Sequence, residues 1–389
     1  MTNNIVTLTR MLDYVLRKSN DYDNINIVIG NESCDLDSAV CSIVYALYLN
    51  WQHNQIKCKV CTKDKRGASS KDDIFIPILN MVRQDFALKT EVMYLFNKLG
   101  ITEGDLIFRN DYDLCSLLRD SKCNVVLVDH HVLAANDVFL SAFVTEIIDH
   151  RPLDKSRWTY KGDTRLIIEI VGSCATLVTR RIKEMCLLLG KEFQFFKDHM
   201  PCSQMLYSTI ILDTVNFSKE FNKGTPEDEE MIDLLERVLM IENPIDERQR
   251  VLDELTKAKS DVSKLTASQL LRKDVKIVED VLIPSFPMLV EEFLRLDDAV
   301  DAVKEVLSQR ECLVALLLGM DLTSGMKRDM AVMSPNNENL AEKLDSFLVE
   351  WSSPSFELRP RDGAVRGQLR LSATRKQYVP VVQEFFRSL

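Results

Sequence analysis

Four short apolar runs in this chain stop at carboxylates, and that punctuation constrains the fold more than any other feature. The runs are "INIVIGNESCD", reaching Asp35, "NVVLVDHH", reaching Asp129, "VTEIIDHRP", reaching Asp149 and His150, and "STIILDTVNF", reaching Asp213. Each is a β-branched stretch that ends abruptly in an acid, the pattern of buried parallel strands opening into a crevice. Helical patterns lie between them. Ser38 to Asn50 follows the first acid pair, and Gly172 to Gly190 starts with small polar residues and closes on glycine. Strands alternating with helices predict an α/β fold whose mostly parallel sheet carries helices on both faces. Ligands bind such sheets beyond the carboxyl ends of the strands, so all four acidic endings are expected on one rim.

After Phe217 the texture changes. Thr225 followed by Pro226 predicts a capped helix through "PEDEEMIDLLERVLMI", and "ENPIDE", Glu242 to Glu247, is the expected hinge. This divides the chain into 1–241 and 248–389. The second part holds helices, a strand "CLVALLLGMDL" and an arginine-rich end. A length of 389 residues suits two domains. The net charge of -10 argues against a general nucleic-acid binder, which needs a basic surface to displace counterions. A phosphate substrate still fits, because it needs only a local metal-lined or basic pocket. Apolar runs such as "LVALLLGM" fall short of the ~20 residues that cross a bilayer. The start, "MTNNIVTLTRMLDY", has no basic region followed by an apolar core. With ten scattered cysteines, a reduced cytoplasmic protein is expected. Cys58 and Cys61 form a Cys-x-x-Cys with no second pair at zinc spacing, and are expected to be small strand residues.

His130, His131 and His150, three of only five histidines, follow aspartates at the ends of apolar runs. Hard divalent cations such as Mg²⁺ and Mn²⁺ favour carboxylate oxygens, with imidazole tolerated by Mn²⁺. Two such ions can activate a water for in-line attack on phosphorus. Asp35 and Asp37, two apart in an extended segment, are expected to project towards one cation site. Taken singly, each residue has a plainer role: Asp35 or Asp37 would cap the helix starting near Ser38, Asp213 would close an Asx turn, and His131 would pack.

The stretches "GNESCDLDS", "FRNDYDL", "LVDHHVL", "IDHRP", "VGSCATLVT", "TIILDTVN" and "KAKSDVSKLTASQLLRKD", with "RKQYVPVV" near the end, resemble the DHH phosphoesterase superfamily. Within it they are similar to the prune-type branch that carries a C-terminal DHHA2 domain. The resemblance implies an N-terminal DHH domain, a smaller α/β DHHA2 domain and an active site in the cleft between them. It implies two Mg²⁺ or Mn²⁺ ions held by Asp35, Asp37, Asp129, His150 and Asp213. Catalytic roles fall on Asp129, His130, His131 and Arg151, and substrate contacts on Asn31, Arg151, Lys257, Arg375 and Lys376. Two departures stand out. Asn31 replaces the histidine ligand of family II pyrophosphatases, and Arg151 replaces the second histidine of the third motif. An arginine there can clamp a phosphate with paired hydrogen bonds.

Between Arg359 and Lys376 six basic residues face one acid, Asp362, which predicts a cationic lid over a polyanion. The expected activity is hydrolysis of short inorganic polyphosphates. The alternatives implied are a cyclic-nucleotide (cAMP) phosphodiesterase, or a partner of nucleoside diphosphate kinase. No C-terminal extension for such a contact is expected beyond Leu389, and neither nucleic acid nor membrane is an expected partner.

Overall fold

The computed structural model describes residues 22–56, 72–120, 122–321 and 325–388. Cys58 and Cys61 and the first fourteen residues lie outside them. Two compact units divide between Lys259 and Ser260.

The first unit is built on a five-stranded parallel sheet of order β2-β1-β3-β4-β5. Its strands are β1 (Tyr22–Ile29), β2 (Asp72–Ile78), β3 (Cys123–Val128), β4 (Val144–Asp149) and β5 (Arg165–Ile168). Alternate side chains serve opposite faces: Ile25, Ile27 and Ile29 join one core, while Val28, Val126, Val128 and Ile148 join the other. Because both faces are covered, the strands read as unbroken apolar runs. Each such fully buried aliphatic side chain contributes about 1.5–3 kcal/mol. The register sets Ile29 beside Leu127 and Val128 beside Ile148, so Gly30, Asp129 and Asp149 emerge at the same edge.

The helices of this unit used below are α1 (Leu36–Ile56), α2 (Cys174–Leu188), α3 (Met200–Thr214), α4 (Pro226–Leu239) and α5 (Pro244–Ser260). The strand expected to end at Asp213 is the last part of α3. Met205 to Ile211 of that helix are all buried, so neither a period of two nor one of 3.6 shows in its sequence. The predicted capped helix is α4, with Thr225 and Asp228 forming a reciprocal capping box. The hinge expected at Glu242–Glu247 is instead the turn from α4 into α5 and the start of α5. Val251 and Leu255 of α5 are buried in the first unit's core, which moves the division to Lys259.

The second unit has a mixed six-stranded sheet of order β10-β11-β9-β8-β7-β6. These strands are β6 (Val275–Val278), β7 (Val281–Phe286), β8 (Val314–Asp321), β9 (Lys327–Met333), β10 (Leu358–Pro360) and β11 (Val365–Gln368). β8 is the strand predicted in "CLVALLLGMDL". Leu282, Ala315, Leu317 and Ala331 fill one face; Ile283, Leu316, Met330 and Val332 fill the other. Among the described residues no helix is long and apolar enough to cross a membrane.

Candidate active site

The site begins where β1 runs out. A Cβ on Gly30 would lie 2.8 Å from the Ser38 Cβ and 2.9 Å from its carbonyl oxygen, so only glycine lets the first turn of α1 fold back this closely on the strand end. Between them the chain turns through Asn31–Asp35. The Asn31 side-chain oxygen accepts from the Ser33 amide at 2.9 Å, the Ser33 hydroxyl at 2.6 Å and the Cys34 amide at 3.2 Å. Asp35 caps α1 by accepting from the Ser38 amide at 3.2 Å.

Asp37 lies two residues further, in the first turn of α1, and is held from elsewhere. The amides of Cys174 and Ala175, at the start of α2, donate to its two oxygens at 2.6 and 2.9 Å. An extended segment projecting both acids one way is therefore not what forms. Each carboxylate rests on the N-terminus of a different helix, where unpaired amides and the helix dipole favour negative charge.

Asp129 sits at the tip of β3 with φ of +60°, a left-handed backbone that non-glycine residues rarely adopt. Its amide still donates to the Ile148 carbonyl at 2.8 Å. One carboxylate oxygen, Oδ2, accepts from the Asn31 side-chain amide and from the Ser38 hydroxyl, both at 2.6 Å. The other, Oδ1, is buried and accepts no hydrogen bond. His150 Nε2 lies 3.3 Å from it and an Arg151 guanidinium nitrogen 3.6 Å from it. The His150 Nδ1 faces the Val171 carbonyl at 3.1 Å. A carbonyl only accepts, so Nδ1 carries the proton and Nε2 is turned to the acids.

Asp213 reaches the same place from α3, and its Oδ2 is likewise buried with no hydrogen bond. Asp35, Asp37, Asp129, His150 and Asp213 line one cavity of about 380 Å³, together with Arg151, Val171, Gly172 and Lys223. Single ligand atoms of Asp37, Asp129 and His150 fall within 4.8 Å of one another. Burial, then the Asp129 charge, pushes Asp35 up; burial, then Asp213 and Asp129, pushes Asp37 well up. Burial raises Asp213 to about 7; Ser173 opposes that rise, while Asp35 and Asp129 add to it. Burial lowers His150, but Asp129 and Asp37 outweigh it and hold the imidazole at about 9, so that without a cation Nε2 carries a proton that a bound ion would displace. Such a cluster is short of positive charge. Two open carboxylate oxygens and an inward imidazole nitrogen are a donor set that fits a hard divalent cation.

The remaining predicted residues fare differently. His131 is committed at both nitrogens: Nδ1 to the Asp149 carboxylate and Nε2 to the Asp154 amide at 2.9 Å. His130 donates from Nδ1 to the Val128 carbonyl at 2.9 Å, and burial holds its imidazole below the usual range. Neither lines the cavity. Their position after Asp129 suggested chemistry, yet they fasten the strand tips. Asn31 uses its oxygen within its own loop and is a donor to Asp129, so that oxygen is not turned to substrate or cation. Lys257 is exposed on α5 of the first unit.

In the second unit Lys376 is exposed, while Arg375 donates to the Asp274 carbonyl at 2.7 Å and pairs with its carboxylate at 2.5 Å. Arg366 pairs with Asp345. The basic stretch read as a lid is thus partly neutralised inside its own unit. The sequence reading missed Ser38, Lys223 and the fully buried Asp228. The Thr225–Asp228 capping signature was a readable sign of the last.

A family model for the DHHA2 domain matches residues 253–385. Proteins named Exopolyphosphatase PRUNE1 are 33% identical over 371 residues in Mus musculus and 30% over 374 in Homo sapiens. Each alignment covers 92% of this chain and 75% of the relative. A parallel sheet with acids at its strand tips, followed by a DHHA2 domain, defines a DHH phosphoesterase, a class of metal-dependent phosphohydrolases. Within that class the chain belongs to the prune-type, exopolyphosphatase-like family.

Proposed function

We propose that this protein hydrolyses the phosphoanhydride bonds of short inorganic polyphosphates, using Mg²⁺ or Mn²⁺ held by Asp35, Asp37, Asp129, His150 and Asp213. The observation that carries the reading is the open Oδ1 of Asp129, buried among other carboxylates and without a hydrogen bond. A buried carboxylate oxygen with no hydrogen bond, its nearest positive groups being His150 at 3.3 Å and Arg151 at 3.6 Å, is costly unless a closer cation completes it. When bound, divalent ions supply Lewis acidity and lower the pKa of water at the site.

The chain's own residues do the rest. Asn31 and Ser38 fix one Asp129 oxygen so that the other faces the cavity. The Val171 carbonyl sets the His150 tautomer, and two helix N-termini anchor Asp35 and Asp37. Arg151, half-exposed at the cavity wall, is placed to neutralise charge on a phosphoryl group. The test is phosphate release from tripolyphosphate in Mg²⁺ and in Mn²⁺. The wild type is expected to turn over and Asp129→Ala is not; equal rates would remove the assignment.

A further inference from the structure

Lys223 is the one lysine among the described residues that lines the carboxylate cavity, and its loop is built to hold it there. Asp228, fully buried at the start of α4, accepts from the Gly172 amide at 2.8 Å, from the Thr225 amide and hydroxyl at 2.7 Å, and from the Thr176 hydroxyl. This ties the loop before α4 to the loop before α2. The two backbones touch. A Cβ on Gly172 would lie 2.9 Å from the Lys223 carbonyl oxygen, and one on Gly224 would lie 2.5 Å from the Phe217 ring. The Lys223 backbone is therefore clamped from both sides by groups that cannot yield cheaply.

Its side chain is different. It is exposed and lines the same cavity as Asp129, Asp213 and Arg151. No hydrogen bond or ion pair engages the Lys223 ammonium among the described residues. Some helix cations of the first unit are neutralised by acids, such as Lys98 by Glu254 and Arg248 by Glu236. A clamped cation without a counter-ion, on the wall of an acidic cavity, attracts a polyanion that metals have already drawn in.

Resting on the polyphosphatase reading above, we infer that Lys223 is a substrate-positioning residue that holds a phosphate group of a linear polyphosphate other than the one undergoing attack. An ammonium is a compact point charge that tolerates many phosphate orientations, which suits a chain whose length varies.

The experiment compares wild type, Lys223→Ala and Lys223→Arg with Mn²⁺ bound, by turnover of tripolyphosphate and by calorimetric titration with its non-hydrolysable imido analogue. Lys223→Ala is expected to raise KM and the analogue's Kd about tenfold with kcat little changed, as for loss of one charged hydrogen bond. Lys223→Arg should restore most of both, and the difference should shrink as salt rises through the screening range. Mn²⁺ affinity without substrate should be the same in all three, as a purely structural role for the loop would not leave it. Equal KM and analogue Kd in wild type and Lys223→Ala would overturn the inference. A wild type that binds the analogue through Lys223 yet releases no phosphate would instead overturn the proposed reaction and leave the binding role standing.

Discussion

Asp129 in the first unit and Asp329 in the second are both 1% exposed, yet they are treated in opposite ways. Asp329 lies on β9, and its oxygens accept from the amides of Val290 and Glu291 at 2.8 and 3.2 Å. Burial raises its carboxyl and those amides draw it back. The fold even clears space for it. Gly319 is its partner across the ladder, and a Cβ there would lie 2.2 Å from Asp329 Oδ1. Asp129 has one oxygen satisfied and one left open, on a strained backbone, among three other acids. The residue type and the depth are the same. What separates a carboxylate that holds the fold from one that serves a site is whether each of its oxygens has a hydrogen-bond donor.

The largest expected effects exchange the two roles. Asp129→Ala should lower phosphate release at least about a hundredfold, the upper range for disturbing groups around a metal. Asp329→Ala should leave the rate per folded molecule unchanged and destabilise the second unit by about 2–4 kcal/mol, because two buried amides lose their acceptor. Calorimetric melting beside the activity assay reads both; a stability loss without an activity loss at Asp129 would collapse the distinction.

Next comes Gly319→Ala, which should cost about 1–3 kcal/mol by pressing a methyl against Asp329 and the Val290 amide, again without altering turnover. Ser38→Ala sharpens the contrast from the other side. It removes one of the two donors that orient Asp129 and the acceptor of the buried Asn31 amide, so Mn²⁺ affinity measured by calorimetry should weaken about tenfold and stability should fall by about 1–3 kcal/mol.

The smallest effect belongs to a carboxylate paired at the surface. Burial would raise Glu254, but Lys98, Tyr94 and Arg250 outweigh it and hold the carboxyl at about 2. A depressed carboxyl stabilises the fold above its unfolded value and loses that contribution as pH falls from about 4 towards 2. Urea unfolding of Glu254→Gln against wild type should show a difference at pH 7 that fades across that window and is reduced by salt. A difference constant with pH would count against the assignment.

Much of the first unit was legible because buried parallel strands and a proline-led helix write themselves locally. The runs before Asp35, Asp129 and Asp149 end where β1, β3 and β4 end, and Thr225 caps the helix as read. The run before Asp213 was not legible. A helical stretch whose successive residues Met205 to Ile211 are all buried, with Thr209, Ile210 and Ile211 side by side, has the same local appearance as a buried strand. The acids of the site were visible as residue types, but their supports were not. Ser38 meets Asp129 across 91 residues and Asp37 meets the Cys174 amide across 137, contacts that exist only once the sheet has formed. The same holds for His131: its place beside Asp129 in sequence pointed to chemistry, while its partners, Asp149 and Asp154, come from the next strand and loop. Lys223 was hidden for another reason. One exposed lysine in a polar loop carries no signal until the loop is seen against the cavity.

A cation site formed by the open oxygen of Asp129 and its neighbours should be abolished or weakened by Asp129→Asn. Asparagine keeps the shape and can still accept from Asn31 and Ser38, while the charge is gone. Mn²⁺ is titrated by calorimetry into metal-stripped wild type and variant of matched stability. Wild type should bind, and the variant should bind at least tenfold more weakly. Equal affinity in the two, or no binding by wild type, would contradict the cation site.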